Sequence, residues 1–100
     1  MHLVVNTLTF SAPVDRRLFA RAEADLAGAL RAVTGFRSLT IVATGEREVV
    51  LLIGGDDAEA VDRIATEVGS PWMREHVLPL LAAPPDRKVG EVLARVEAGA

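Results

Sequence analysis

The sequence has no cysteine and no tyrosine, one tryptophan, three phenylalanines and two histidines. Without cysteine there is no disulfide framework, thiol nucleophile or thiolate metal site. Without tyrosine a phenolic proton relay is excluded. Two histidines, one of them His2 at the frayed start, fall short of the three or four ligands of a protein-only zinc site. Charge of one sign is scarce too: eleven Lys and Arg against fourteen Asp and Glu leave a net charge of −3, with no block of like charge. The basic footprint of a nucleic-acid binder is therefore missing. No apolar run approaches the ~20 residues of a membrane span. Met1 to Phe10 lacks the basic region and small-residue cleavage site of a signal peptide. A soluble, cytoplasmic protein with no nucleic-acid or membrane partner is the expectation. Walker, GxGxxG, HExxH and GxSxG motifs are all absent.

What is there is apolar. Half of the 100 residues are hydrophobic, and the mean hydropathy is +0.28. A chain this short reads as one domain over residues 1–100 with a small interior. The excess of apolar residues points to surface buried against another subunit.

The hydrophobic period changes along the chain in a defined order. Residues 2–10 (HLVVNTLTF) read as a strand, punctuated by Ser11, Ala12 and Pro13. From Asp15, a plausible N-cap, to about Val33, a stripe of Leu18, Phe19, Ala22, Leu26, Leu30 and Val33 marks a helix that stops at Gly35. Residues 36–43 and 48–53 form a hairpin about the turn Thr44-Gly45-Glu46. Asp56 and Glu59 resemble a capping box for a second helix, whose face is Val61, Ile64, Ala65 and Val68 and whose stop is Gly69. Ser70-Pro71 starts a short helix over 72–78, ended by Pro79. Residues 88–96 read as the last strand, with Gly90 a candidate bulge.

The order β-α-β-β-α-β predicts the α+β ferredoxin-like arrangement, a mixed or antiparallel four-stranded sheet with helices on one face. Leu3-Val4-Val5 and Val49 to Ile53 are apolar at every position. A strand with one wet face alternates, whereas a continuous run implies cover on both faces. Helices cover one face; a second sheet from a partner copy covers the other. The expected assembly is a homodimer through sheet faces, a dimeric α+β barrel.

Two polar residues break their local pattern. Asn6 interrupts an apolar strand and shares a face with Val4, Leu8 and Phe10, so its amide either satisfies nearby backbone or points into a cavity. His76 lies on a stripe with Trp72, Met73, Val77 and Leu80. It reads either as a structural histidine or as a proton carrier or iron ligand beside a pocket of Trp and Met. Asn6 and His76 are the candidate catalytic residues; Trp72, Met73, Phe10 and Leu80 are the candidate ligand contacts. Arg74, Glu75, Arg87 and Lys88 read as solvated, with Arg74 within reach of an acidic ligand group. Gly54-Gly55-Asp56-Asp57 reads as a turn and helix cap in preference to an acidic metal loop.

Asn6, the turn Thr34-Gly35-Phe36-Arg37 and the segment Ser70-Pro71-Trp72-Met73-Arg74-Glu75-His76 together resemble the antibiotic biosynthesis monooxygenase-like domains of the dimeric α+β barrel superfamily. The match of element order spans essentially the whole chain. The resemblance implies a pocket between helices and sheet that takes a flat, mostly apolar ligand. It further implies either cofactor-independent oxygenation, or haem binding or degradation with His76 as the iron ligand. A non-catalytic dimeric accessory protein that keeps the pocket is a further outcome. The chain departs from the family pattern in three places, the first being that it has no tyrosine for a proton relay. The family's helix-two Trp would fall near Thr66 to Val68, and Leu52-Ile53-Gly54-Gly55 stands in place of its Glu-x-Trp.

Overall fold

A computed structural model describes residues 1–99. Its elements are β1 (His2–Thr9), α1 (Arg16–Arg31), β2 (Phe36–Gly45), β3 (Glu48–Gly55), α2 (Ala58–Ile64), α3 (Ser70–His76) and β4 (Asp86–Glu91). The strands form one sheet in the order β2-β3-β1-β4. Every pairing is antiparallel, which gives the ferredoxin-like α+β fold. Asp15 caps α1 by accepting from the Arg17 N–H.

The register sorts side chains between two faces. Val4, Asn6 and Leu8 of β1 align with Ile53, Leu51 and Val49 of β3. Because side chains alternate along a strand, these residues share one face. Both helical segments pack there. One core cluster gathers Leu8, Phe10, Val49, Leu51 and Val77. A second gathers Leu30, Val33, Ile64 and Val68. The opposite face carries Leu3, Val5, Val42, Val50 and Leu52, all partly or largely exposed.

Gly35 has φ +87°, a left-handed conformation that glycine adopts without strain, and turns the chain from α1 into β2. At Gly55 a Cβ would lie 2.9 Å from Val61 Cγ1, so the missing side chain lets α2 sit directly on the end of β3.

Several local expectations are corrected. The hairpin turn falls at Glu46-Arg47, because β2 continues through a bulge to Gly45. Asp57 caps α2 by accepting from the Ala60 N–H, while Asp56 is drawn into an ion pair with Arg37. Gly69 does not stop the second helix and Ser70 does not cap a new one, since both keep right-handed helical dihedrals. Residues Ala65–Gly69 form a π-helical turn joining α2 to α3, closed by the Ser70 N–H donating to Ala65 C=O. Pro71 lacks an N–H and fits just past that widened turn. β4 runs over Asp86–Glu91 with unbroken register, so Gly90 makes no bulge and residues 92–96 are not strand.

Candidate functional site

Asn6 sits in the middle of β1, with Leu51 of β3 and Arg87 of β4 as its register partners. It is 9% exposed. Its Oδ1 is buried and has no hydrogen-bond partner among the described residues. Leaving a buried polar group unpaired costs roughly 1–3 kcal/mol, so such a group in a native structure needs a reason.

The reason lies directly above it. Between sheet and helices is a cavity of about 600 Å³, with Asn6 in its floor. Val4, Leu39, Ile41, Leu51 and Ile53 make the rest of the floor, Leu26 and Leu30 of α1 one wall, and Ile64, Val68, Trp72 and Met73 the other. The π turn contributes Ala65, Val68 and Gly69 to that wall. π turns recur at functional sites because they displace a helix face locally. The lining is apolar apart from Asn6, Ser70 and two arginines, Arg74 of α3 and Arg87 of β4.

Trp72 links this cavity to the core. Its ring lies 6.3 Å from Phe19, which meets Phe10 edge to face at 5.9 Å. On the other side Trp72 is 5.7 Å from the His76 ring. The four rings run from the interior past the cavity wall to the surface.

Of the residues singled out from sequence, Asn6, Trp72, Met73 and Arg74 line the cavity together. His76, Phe10 and Leu80 do not. The His76 side chain is 42% exposed, and its Nε2 lies 3.7 Å from a Glu75 carboxylate oxygen. Its position, one turn past Trp72, carries it beyond the cavity wall. Phe10 shares Asn6's face but lies four residues further along the strand, about 13 Å at ~3.3 Å per residue, where it is buried in the core cluster. Leu80 is 44% exposed on a short 3₁₀ turn, where its carbonyl accepts from the Ser11 backbone and hydroxyl. Among the described residues no cluster of three His, Asp or Glu could hold a metal ion. Among the described residues no histidine lines the cavity, and His76 lies against the outer side of the wall residue Trp72. No helix is long and apolar enough to cross a membrane among the described residues.

Sequence reasoning missed Arg87, Leu26, Leu39 and Ile53 as lining residues. Arg87 carried no local signal, since only the strand register sets it beside Asn6.

No family model matches the chain, and no curated protein sequence matches it. Solved structures do. A monooxygenase from the gene ActVA-Orf6 of Streptomyces coelicolor, solved with nanaomycin D, is 23% identical with TM-score 0.75, covering 98% of this chain and 92% of that one. SnoaB, a cofactor-independent oxygenase from Streptomyces nogalater, is 15% identical with TM-score 0.72, each chain covered to 97%. A point variant of MhuD with two manganese protoporphyrin IX molecules per active site is 19% identical with TM-score 0.72, covering 98% and 100%. The chain thus has the fold of the antibiotic biosynthesis monooxygenase-like proteins.

Proposed function

We propose that the protein binds a flat, mostly apolar ligand in the cavity between helices and sheet, as a cofactor-independent monooxygenase-like protein. The observation that carries this reading is the buried, unpartnered Oδ1 of Asn6 in the floor of an otherwise apolar cavity. A ligand hydroxyl or N–H satisfies Oδ1, and the amide N–H can polarise a ligand oxygen. Trp72 and Met73 supply an aromatic and a polarizable surface for a flat ring system.

Cofactor-free reaction with O₂ needs an electron-rich carbanion. Among the described residues no carboxylate or imidazole lines the cavity, so the reading calls for a substrate that ionises readily by itself, as a cyclic ketone with an acidic methylene does. In that reaction one oxygen atom becomes a new carbonyl on the methylene carbon. The other leaves as water with the two methylene hydrogens. Asn6 would stabilise the enolate oxygen. The same lack of a base supports a second reading, a binding protein that keeps the cavity without the chemistry.

We further propose a homodimer through the outer sheet face, supported by the half-exposed Leu3, Val5, Val42, Val50 and Leu52 on that face. Leu93 and Val96 add apolar surface, at 91% and 97% exposure.

Titration with N-phenyl-1-naphthylamine, a neutral flat fluorophore, tests the binding reading. A saturable fluorescence rise, abolished in Ala65→Phe by a ring that fills the cavity, is expected; binding unchanged in that variant overturns it. Anthrone with an oxygen electrode then separates the two readings. Oxygen uptake matching anthraquinone formation, and lost in Asn6→Leu, supports the oxygenase. Uptake no faster than the spontaneous rate overturns the oxygenase and retains the binder.

A further inference from the structure

We infer that the ligand of this cavity carries an oxyanion, such as a carboxylate, read at the rim by Arg87 and Arg74; this rests on the cavity being the binding site. The chain as a whole has more acidic than basic residues, fourteen against eleven. The cavity lining reverses that balance, with two arginines and no carboxylate. The two cations come from different elements, Arg74 from α3 and Arg87 from β4, so one helix or strand placing a solvated face does not account for both.

Neither guanidinium is neutralised among the described residues. The ion pairs among the described residues are Arg37–Asp56, His76–Glu75 and Arg95–Glu97. Glu75, beside Arg74 in sequence, is the one that approaches His76. Asp86, beside Arg87, belongs to the opposite sheet face by strand alternation. The one bond that Arg74 makes uses Nε, to the Ser70 carbonyl at 3.4 Å, and leaves the terminal nitrogens available. Arg87 is the register partner of Asn6, and directly opposed residues on one face lie about 4.5–5.5 Å apart. Asn6 and Arg87 are therefore neighbours on the cavity face of the sheet. A ligand that gives a hydroxyl or N–H to Asn6 Oδ1 can set an oxyanion against Arg87, with Arg74 closing from the helix side. Guanidinium matches such groups with paired hydrogen bonds.

Two probes share a skeleton and differ in one charge: 1-anilinonaphthalene-8-sulfonate and neutral N-phenyl-1-naphthylamine. The sulfonate should bind about tenfold tighter, with 2-naphthoate competing against it. Arg87→Met and Arg74→Met should each weaken the sulfonate several-fold and change the neutral probe much less, with circular dichroism melts confirming that both exposed-site variants fold. Equal affinity for the two probes overturns the inference while the cavity reading stands. A sulfonate preference that persists in the double variant overturns it as well, because the charge is then read elsewhere. Failure of both probes to bind overturns the cavity reading and the inference with it.

Discussion

Replacing Asn6 with leucine should make the protein more stable and a poorer binder. Asn6 Oδ1 is buried without a partner, and such a group costs roughly 1–3 kcal/mol of desolvation. Leucine removes that cost, and because it branches at Cγ as asparagine does, its two methyl groups take the place of the amide beside Val4 and Leu51 in the cavity floor. The expected gain is about 1–2 kcal/mol, and in a domain of ~100 residues each kcal/mol raises Tm by roughly 4–8 °C. Urea unfolding can be followed by the single tryptophan, Trp72, which stands in the cavity wall. Wild type and variant should be compared at one protein concentration, because dimerisation shifts apparent stability by mass action. N-phenyl-1-naphthylamine, whose N–H can donate to Oδ1, should bind roughly fivefold more weakly to the variant. A loss of 1 kcal/mol or more in Asn6→Leu would refute the reasoning, since it would mean that the amide is already satisfied inside the fold.

Other substitutions probe the frame that holds the site. Leu8→Ala, at a fully buried position of the larger core cluster, should cost about 3–4 kcal/mol in urea melts; a cost under about 1 kcal/mol would contradict the packing. Gly35→Ala should lower stability by about 1–3 kcal/mol, because φ is +87° and the new Cβ would lie 2.7 Å from Ala60 Cβ; an unchanged melt would contradict the strained turn. Arg37→Ala should cost less than about 1 kcal/mol, as its partner Asp56 is exposed. Val5→Asp, on the outer sheet face, should shift the sedimentation coefficient from dimer to monomer; a wild type that sediments as a monomer would remove the dimer from the account.

The first half of the fold was legible because its signals are local. Alternation in β1, the stripe of α1 and the Gly35 turn each depend on residues that touch one another. The second helical layer was less so. Gly69-Ser70-Pro71 has the chemistry of a stop followed by a start, yet packing of Val68 against Leu30 and Ile64 on one side and Trp72 against Phe19 on the other carries the helix through it as a π turn. Local preferences amount to about 1 kcal/mol per residue, which such tertiary contacts override. The end of β4 failed for a related reason: Leu93 and Val96 have strand character, but a strand needs a paired backbone. The ladder closes at Glu91 opposite His2, with one more bond from the Val92 N–H to Met1 C=O.

The site divides in the same way. Asn6 was visible as an exception to the pattern around it, and the face it shares with Val4 and Leu8 follows from period two. Face does not fix position along a strand, which is why Phe10 belongs to the core and not to the cavity. A helical stripe likewise does not say where a pocket ends. His76 stacks on Trp72 as the spacing requires, but the wall stops at Trp72 and Met73. Arg87 became informative only through the strand register, a long-range pairing that no local pattern encodes.

The central claim, that Asn6 floors the ligand cavity, is tested most directly by nitrogen–proton correlation spectra during titration with N-phenyl-1-naphthylamine. The account predicts saturable shifts of the Asn6 side-chain amide, the Trp72 indole N–H and the backbone amides of Ile64 to Val68. Shifts confined to Val5, Val42 and Val50 on the outer sheet face, with Asn6 unmoved, would contradict it.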